Sequence, residues 1–169
     1  MATLEIQVSV VEIEWRKRAM VAASALKVMI VDDEEMMRTL MRRTLDRMGI
    51  SQIYTADDGS EGLELAWSRR PDVIIADYAM PNMDGLELLK AVREEPTFAK
   101  TAFIMLTGSA NGVVRQRAGE LGANSIIMKP VFPADLKDKL GTLVYELTGA
   151  RIDWKPSTGE QAKRIGTSS

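Results

Sequence analysis

Five polar residues stand at the ends of apolar runs in this sequence. Asp32 and Asp33 follow "KVMIV", Asp77 closes "DVIIAD", Thr107 closes "TAFIMLT" and Lys129 closes "NSIIMK". A charge taken out of water costs free energy unless it is paired, so a buried strand gains nothing from a charged tip. Each residue alone has a plain explanation as the polar end of a strand. The set of carboxylates, hydroxyl and amine indicates a site.

The residue types at these positions suit phosphoryl chemistry. Three clustered carboxylates repel one another and need a cation. The sequence has no histidine and no cysteine, so a metal here must be bound by oxygen, which favours Mg²⁺. The metal and the Lys129 ammonium would neutralise the oxygens of a phosphoryl group. A carboxylate is a competent nucleophile toward phosphorus, and Asp77 is the predicted phosphoacceptor.

The elements that must position these residues alternate regularly from Leu26 onward. Short apolar runs alternate with stretches of helical period, such as "EEMMRTLMRRTLDRMG" and "PADLKDKLGTLVYELTG", five times in succession. This alternation is the signature of an open parallel α/β sheet with helices on both faces. In such sheets ligands bind outside the carboxyl ends of the strands. The polar residues that close different strands should therefore meet at one edge.

The chain divides into three predicted segments: an N-terminal extension over residues 1–25, a folded domain over 26–147 and a flexible tail over 148–169. Residues 4–10 alternate apolar and polar as in a strand, and either an ordered arm or a mis-called start ahead of Met20 fits them. The tail is rich in Gly, Ser and Thr and lacks apolar periodicity. Trp154 is its exception and could dock on the domain or anchor a partner.

Composition narrows the class of protein. The formal net charge is −2, and residues 26–147 carry more acidic than basic side chains, which disfavours nucleic acid and anionic membranes as partners. No apolar run approaches the roughly 18 residues of a membrane span. Glu5, Glu12 and Glu14 argue against a signal peptide. The lack of cysteine and histidine excludes disulfides, thiolate zinc sites and a histidine-based triad, and fits a reducing compartment.

At these residues the sequence resembles the response-regulator receiver domains of two-component signalling, including the chemotaxis-type single-domain members. The resemblance covers residues 26–147 and rests on "VMIVDDE", "DVIIADYAMPNMDG", "IMLTGS" and "IIMKP", in this order and at the family's usual spacing. It implies a flavodoxin-like (βα)5 fold with strand order 2-1-3-4-5. It also implies a cis Lys129–Pro130 peptide bond.

The resemblance assigns roles to the site residues. Asp77 would accept a phosphoryl group from a phosphohistidine on a histidine kinase or histidine phosphotransfer protein. Asp33, Asp77 and the backbone carbonyl of Ala79 would bind Mg²⁺ directly, and Asp32 would act through water. The protein would be a stand-alone, cytoplasmic bacterial response regulator with an unidentified downstream protein target.

The resemblance also implies how the signal would leave the site. Lys129 would contact the phosphoryl group, and Thr107 would move toward it and switch a protein-binding face around residues 107–147. The family often has Tyr or Phe three residues before the lysine, where this chain has Ile126. We therefore expect loop and helix shifts near residues 107–131 in place of an aromatic flip.

Two further expectations concern the surroundings of the site. Ala79 and Ser109 lie two residues beyond Asp77 and Thr107, and both are small, so water should reach the phosphoryl group and hydrolyse it quickly. The first helix offers a predicted docking face for the phosphodonor, although an ordinary solvated helix face fits the same pattern. Its residues are Glu35, Met36, Thr39 and Arg43, with Met36 favoured because exposed methionine suits an adaptable interface.

Three other functions are compatible with parts of the pattern. A Mg²⁺-dependent phosphohydrolase with an aspartyl nucleophile would need a second acid at position 79, where the chain has Ala79. A receiver-like scaffold that works without phosphorylation would not need the complete set of polar residues. A flavin-binding module would need a phosphate-binding loop after the first strand, where Asp32 and Asp33 place negative charge.

Overall fold

The computed structural model describes residues 20–108 and 112–155. The strand-like segment at residues 4–10 lies outside this part of the chain, as does Ser109. The strands are β1 (Met20–Ala22), β2 (Lys27–Val31), β3 (Gln52–Ala56), β4 (Val73–Asp77), β5 (Ala102–Thr107), β6 (Ser125–Met128) and β7 (Arg151–Asp153). The α-helices are α1 (Glu35–Arg47), α2 (Gly59–Arg69), α3 (Gly85–Glu94), α4 (Gly112–Glu120) and α5 (Pro133–Thr148). None of the helices in the described ranges could cross a membrane.

Five strands form one parallel sheet in the order β3-β2-β4-β5-β6. Counted among these five alone, the order is 2-1-3-4-5, which confirms the expectation. The register pairs Asp77 with Leu106 and Thr107 with Met128, so the polar ends of neighbouring strands lie at one edge. Every residue of β4 and β5 is buried, because helices cover both faces of the sheet.

The two faces have separate apolar cores. Val28 and Ile30 of β2 pack on the side of α1 and α5, whereas Met29 and Val31 pack on the side of α2, α3 and α4. Successive side chains of a strand point to opposite faces, which is why one continuous apolar run supplies both cores. The sheet is therefore a rigid support for the residues at its carboxyl edge.

Local sequence explains where the helices beside the site begin. Asp84 caps α3 by accepting a hydrogen bond from the amide of Glu87, and the Glu87 side chain accepts one from the amide of Asp84. Asp58 caps α2 in the same way by accepting from the amide of Glu61. The two loops contact each other beside the site, since the amide of Gly59 donates to the carbonyl of Met83 at 3.2 Å.

The ordered structure extends beyond the predicted bounds of the domain. β1 pairs in parallel with β7, and residues 20–25 and 149–155 together form what we call the terminal clip. Ile152 of the clip is 6% exposed and lies in the same core as Met48 and Val144. The side chain of Trp154 also packs against this core, with the Lys137 ammonium 5.3 Å from its ring centroid. Residues 149–155 were predicted as part of a flexible tail, whereas the structure packs them against the domain; residues 20–25 belong to the extension for which an ordered arm was one of the two alternatives.

A half-buried arginine of α3 links the end of α4 to the starts of β5 and β6, at the edge of the sheet opposite the site. Arg93 donates hydrogen bonds to the carbonyl of Gly122 at 2.9 Å, to the carbonyl of Thr101 at 3.0 Å and to Oδ1 of Asn124 at 2.8 Å. The same Oδ1 accepts from the amide of Phe103. This network anchors the loop that follows the C-terminal end of α4. The N-terminal end of α4 is the end that lies closer in the chain to Thr107.

Candidate functional site

The structure brings four of the predicted side chains together at the carboxyl edge of the sheet. Carboxylate oxygens of Asp32, Asp33 and Asp77 all lie within 4.8 Å of one another. Nζ of Lys129 lies 3.1 Å from Oδ1 of Asp77 and 3.2 Å from Oδ2 of Asp32. Since these residues come from three different strand ends, the sheet itself creates the cluster.

Asp32 is the most enclosed member of this cluster. Its side chain is 0% exposed, and its Oδ1 accepts a hydrogen bond from the amide of Glu34 at 2.9 Å. Its Oδ2 accepts from Lys129, so both oxygens have partners. Asp33, by contrast, is exposed, and its carboxylate lies near those of Asp32 and Asp77 on the solvent side of the cluster.

Burial and charge act in opposite directions on the ionisation of the central carboxylate. Burial, and to a lesser degree the charges of Asp32 and Asp33, raise the pKa of Asp77, while Lys129 opposes this effect; the net direction is upward. Burial alone would lower the pKa of Lys129, but its contacts with Asp77 and Asp32 raise the pKa overall. Lys129 therefore stays charged, and Asp77 is a carboxylate that benefits from additional positive charge.

Backbone hydrogen bonds hold both ends of the loop after β4, which begins at the buried Asp77. The amide of Tyr78 donates to the carbonyl of Leu106 at 2.8 Å, and the amide of Gly85 donates to the carbonyl of Tyr78 at 3.0 Å. A Cβ at position 85 would overlap the carbonyl oxygen of Asp77, so only glycine allows this close approach. Ala79 is exposed at the start of the loop, two residues after Asp77.

Thr107 and Lys129 come from the two neighbouring strands on the other side of Asp77. Thr107 is buried at the end of β5, and its carbonyl accepts from the amide of Lys129 at 2.8 Å. The Lys129–Pro130 peptide bond is cis, as expected. Ile126 is half-buried on β6. It occupies the position at which the family often has Tyr or Phe.

The donor set fits a hard divalent cation. All three side chains supply carboxylate oxygens, which are ligands that Mg²⁺ prefers, and they lie close enough to share one ion. The pKa of Asp77 is raised in part by the other two carboxylates, so an added cation would relieve a repulsion that the fold creates. Asp32, Asp33 and Asp77 are the side chains that could hold it.

The predicted docking face on α1 is a shallow groove of 460 Å³ beside the acidic cluster, lined by Glu35, Met36, Thr39, Leu40 and Arg43. Met36 is 82% exposed, more than any other large apolar side chain in the described part of the chain. Leu40 belongs to this surface too and is also exposed. A second groove, of 500 Å³, runs between β6 and the start of α5, where Met128 and Phe132 are exposed.

One residue near the site was not singled out from the sequence. Arg38 lies on α1, half-buried, and donates from Nη1 to the backbone carbonyl of Asp32 at 2.6 Å. The sequence feature that could have identified it is its position: an arginine six residues after Asp32, about one turn into the helix that begins next to the site. Arginine is common on solvated helix faces, so the spacing alone did not distinguish it from Arg42 or Arg43.

Solved structures share this arrangement of sheet and helices. The chemotaxis protein CheY4 of Vibrio cholerae superposes with a TM-score of 0.66 at 36% identity, over 70% of this chain and 98% of that one. The signal receiver domain of a histidine kinase from Syntrophus aciditrophicus gives a TM-score of 0.68 at 27% identity, over 73% and 92% of the two chains. The fold and the acidic edge are those of the receiver class of signalling domains.

The chain belongs to the response regulator receiver domain family, whose model matches residues 28–141. It is 41% identical over 108 residues to the protein named "Probable chemotaxis protein CheY" of Rhizobium etli, covering 64% of this chain and 84% of that protein. It is 36% identical over 116 residues to the chemotaxis protein CheY1 of Helicobacter pylori, covering 68% and 94%. Members of this family are signalling proteins, and their general mechanism is phosphorylation of an aspartate.

Proposed function

We propose that this protein is a cytoplasmic signalling switch that accepts a phosphoryl group on Asp77 from a phosphohistidine of a histidine kinase or histidine phosphotransfer protein. The observation that supports it is the cluster at the carboxyl edge of the sheet. Asp77 is buried at the end of a fully buried strand, between two further carboxylates and the Lys129 ammonium. Family membership supports the same function.

In the proposed transfer, a carboxylate oxygen of Asp77 forms a bond to phosphorus as the bond from phosphorus to the donor's imidazole nitrogen breaks. The nitrogen keeps the electron pair of that bond, and Asp77 becomes an acyl phosphate. Hydrolysis reverses the state: water attacks phosphorus, inorganic phosphate leaves and the carboxylate is restored. Asp77 must be ionised to attack, so neighbouring positive charge favours the reaction.

Asp32, Asp33, Asp77 and the backbone carbonyl of Ala79 would hold Mg²⁺, with Asp32 acting through water. When bound, the cation would supply positive charge that lowers the pKa of Asp77 and neutralises phosphoryl oxygens. Lys129 already bridges Asp32 and Asp77, and would exchange part of this contact for a phosphoryl oxygen.

Thr107 would connect the site to the rest of the molecule. It is the last residue of β5, and the chain runs from it toward α4. Because Arg93 fixes the loop after α4, a movement of Thr107 would displace the beginning of α4 more than its end. Ile126 lacks the ring for an aromatic flip, so loop and helix shifts near residues 107–131 would change the protein-binding face over residues 107–147, including the groove at Met128 and Phe132.

The α1 groove would receive the phosphodonor. Met36 and Leu40 give it an exposed apolar centre, and Glu35 and Arg43 give it charged flanks. An apolar centre with a charged rim is the anatomy of a protein interface. The downstream target would be another protein, bound at the face over residues 107–147.

The phosphohydrolase alternative has less support. Its general acid would have to stand two residues after the nucleophile, and the residue there is Ala79, which is exposed and has no proton to donate. The scaffold alternative predicts no phosphorylation at all, so one experiment separates it from the proposal.

The test is intact-mass spectrometry of the full chain after incubation with acetyl phosphate and Mg²⁺. The expected result is one added phosphoryl group, lost in Asp77→Asn and retained in Asp57→Asn. Asp57 is a matched control because it is an exposed aspartate in the loop after β3, another strand of the same sheet. The same gain of mass in Asp77→Asn would disprove the assignment of Asp77. No gain in any variant under any Mg²⁺ concentration would favour the scaffold.

A further inference from the structure

Arg38 reaches from α1 to the main chain of the acidic turn. Its Nη1 donates to the carbonyl oxygen of Asp32 at 2.6 Å, a short distance for a hydrogen bond of a charged donor. Arg38 is half-buried, so this contact is partly shielded from solvent. A charged donor fixed to a backbone carbonyl restrains the peptide plane to which that carbonyl belongs.

The restrained peptide plane lies at the centre of the turn that presents the carboxylates. The amide of Asp32 donates to the carbonyl of Ala56 at 3.2 Å, which ties the start of the turn to the sheet. Beyond it, the amide of Glu34 donates to Oδ1 of Asp32. Arg38 holds the carbonyl between these two points, so the direction of the Asp32 side chain depends on all three hydrogen bonds.

The orientation of Asp32 matters because its two oxygens have different partners. Oδ1 faces the amide of Glu34, and Oδ2 faces Nζ of Lys129 at 3.2 Å. A rotation of the peptide would change both distances and move the carboxylate relative to Asp33 and Asp77. Partners of metal-binding groups that orient the ligands usually contribute to affinity in this way.

We propose that Arg38 is a positioning residue: its guanidinium holds the main chain at Asp32 and thereby sets the orientation of the Asp32 carboxylate for cation binding. The proposal rests on the proposed function for its cation, while the orientation itself is a property of the chain alone. Arg38 does not have to touch the cation or the phosphoryl group to act in this way.

The direction of the effect on cation binding separates positioning from simple electrostatics. Arg38 carries positive charge near three carboxylates, so removing the charge alone would tighten the binding of Mg²⁺. Loss of positioning would weaken it. For Arg38→Met we expect the Mg²⁺ dissociation constant, measured by isothermal titration calorimetry, to rise roughly tenfold. Arg38→Lys keeps the charge and one donor, and should recover part of the loss.

The kinetic readout is phosphorylation by acetyl phosphate as a function of Mg²⁺ concentration. In Arg38→Met the half-saturating Mg²⁺ concentration should rise by the same factor, while the rate at saturating Mg²⁺ stays within about twofold of the unmodified protein. A merely structural loss would lower the saturated rate as well. Arg42→Met is the matched control, because Arg42 is an exposed arginine one turn further along the same helix.

A metal-free measurement tests the orientation directly. The amide of Glu34 donates to Asp32, so its hydrogen exchange in Mg²⁺-free buffer reports that contact. Exchange at Glu34 should be faster in Arg38→Met, intermediate in Arg38→Lys and unchanged in Arg42→Met. Unchanged exchange in Arg38→Met, or Mg²⁺ binding as tight as before or tighter, would overturn the proposal. If the unmodified protein binds no Mg²⁺, the proposed function fails, and the Glu34 amide still decides the role of Arg38.

Discussion

The ammonium of Lys129 lies 3.1 Å from Oδ1 of Asp77, at the ends of two strands that are separated in the sheet by β5. The same ammonium contacts Asp32 on the far side. One cation thus offsets part of the repulsion among three carboxylates, and the remaining negative charge favours a second, divalent cation.

Replacing Lys129 should separate cation binding from phosphoryl transfer. Lys129→Met removes positive charge from the cluster, so Mg²⁺ should bind as tightly as before or more tightly. Phosphorylation by acetyl phosphate should become roughly 100-fold slower, because a donor to the phosphoryl oxygens is lost. Calorimetry and intact-mass kinetics measure the two effects, with the exposed Lys100→Met as control. Weaker Mg²⁺ binding in Lys129→Met would show that the charge balance is misread.

The stability of the metal-free protein should depend on pH through Asp77. The pKa of Asp77 in the folded protein is raised above its ordinary value of 3.8, chiefly by burial, so folding favours its protonated form. At neutral pH, Asp77→Asn should therefore be more stable than the unmodified protein. The difference should shrink as the pH falls through the raised pKa, and should be gone below 3.8, where both folded and unfolded Asp77 are protonated.

Urea denaturation in the presence of a chelator, from pH 7 down to about pH 3, measures this difference in the free energy of unfolding. Asp57→Asn serves as the control, because Asp57 is exposed and lies outside the cluster. A neutral-pH stability of Asp77→Asn below that of the unmodified protein would contradict the upward direction of the Asp77 pKa.

Mg²⁺ should reverse this order of stability. A ligand that binds only the folded state stabilises it by about 2.7 kcal/mol at 100 times its dissociation constant. We expect that gain in the unmodified protein and little of it in Asp33→Asn or Asp77→Asn, since each loses one of three carboxylates. Thermal unfolding with and without Mg²⁺ measures it. Equal gains in all three proteins would place the cation elsewhere.

The terminal clip should contribute to global stability. Ile152→Ala removes a side chain that is 6% exposed and packs in the core with Met48 and Val144. We expect a loss of about 2–4 kcal/mol in the free energy of unfolding, as for other buried isoleucines. Arg151→Ala, on the neighbouring exposed position, should change it by less than about 0.5 kcal/mol. If Ile152→Ala unfolds like the unmodified protein, the clip does not pack as described.

The acyl phosphate should be short-lived because Ala79 leaves the approach to Asp77 open. Ala79 is exposed and small, so water can reach the phosphoryl group. Ala79→Leu should lengthen the half-life of the phosphorylated protein, measured by loss of the added mass after removal of acetyl phosphate. Ala99→Leu, at an exposed alanine beyond α3, is the control. A phosphoryl group that survives for many hours in the unmodified protein would contradict the expectation.

The sequence was sufficient to predict the sheet because the pattern is local and repeated. Apolar runs such as "KVMIV" match β2 to the residue, and the alternation with amphipathic helices implies a parallel sheet. The resemblance to a family then supplied the strand order and the cis bond before Pro130, both of which the structure confirms. The roles of Asp77, Thr107 and Lys129 stay predictions, although the structure does place Asp77 and Lys129 in contact.

The terminal clip escaped prediction for a physical reason. β1 and β7 are three residues each, too short for a period to be read, and each forms only because the other end of the chain lies beside it.

What the sequence alone determined is the type of chemistry: residues able to bind a hard cation and accept a phosphoryl group, each at the end of an apolar strand. What the tertiary structure decided is which of these groups meet and what holds them. The contact of Lys129 with both Asp32 and Asp77 depends on the order of strands, and the contact of Arg38 with the Asp32 carbonyl depends on the angle at which α1 leaves the sheet. Such distances follow from the packing of the whole domain, which no short stretch of sequence specifies.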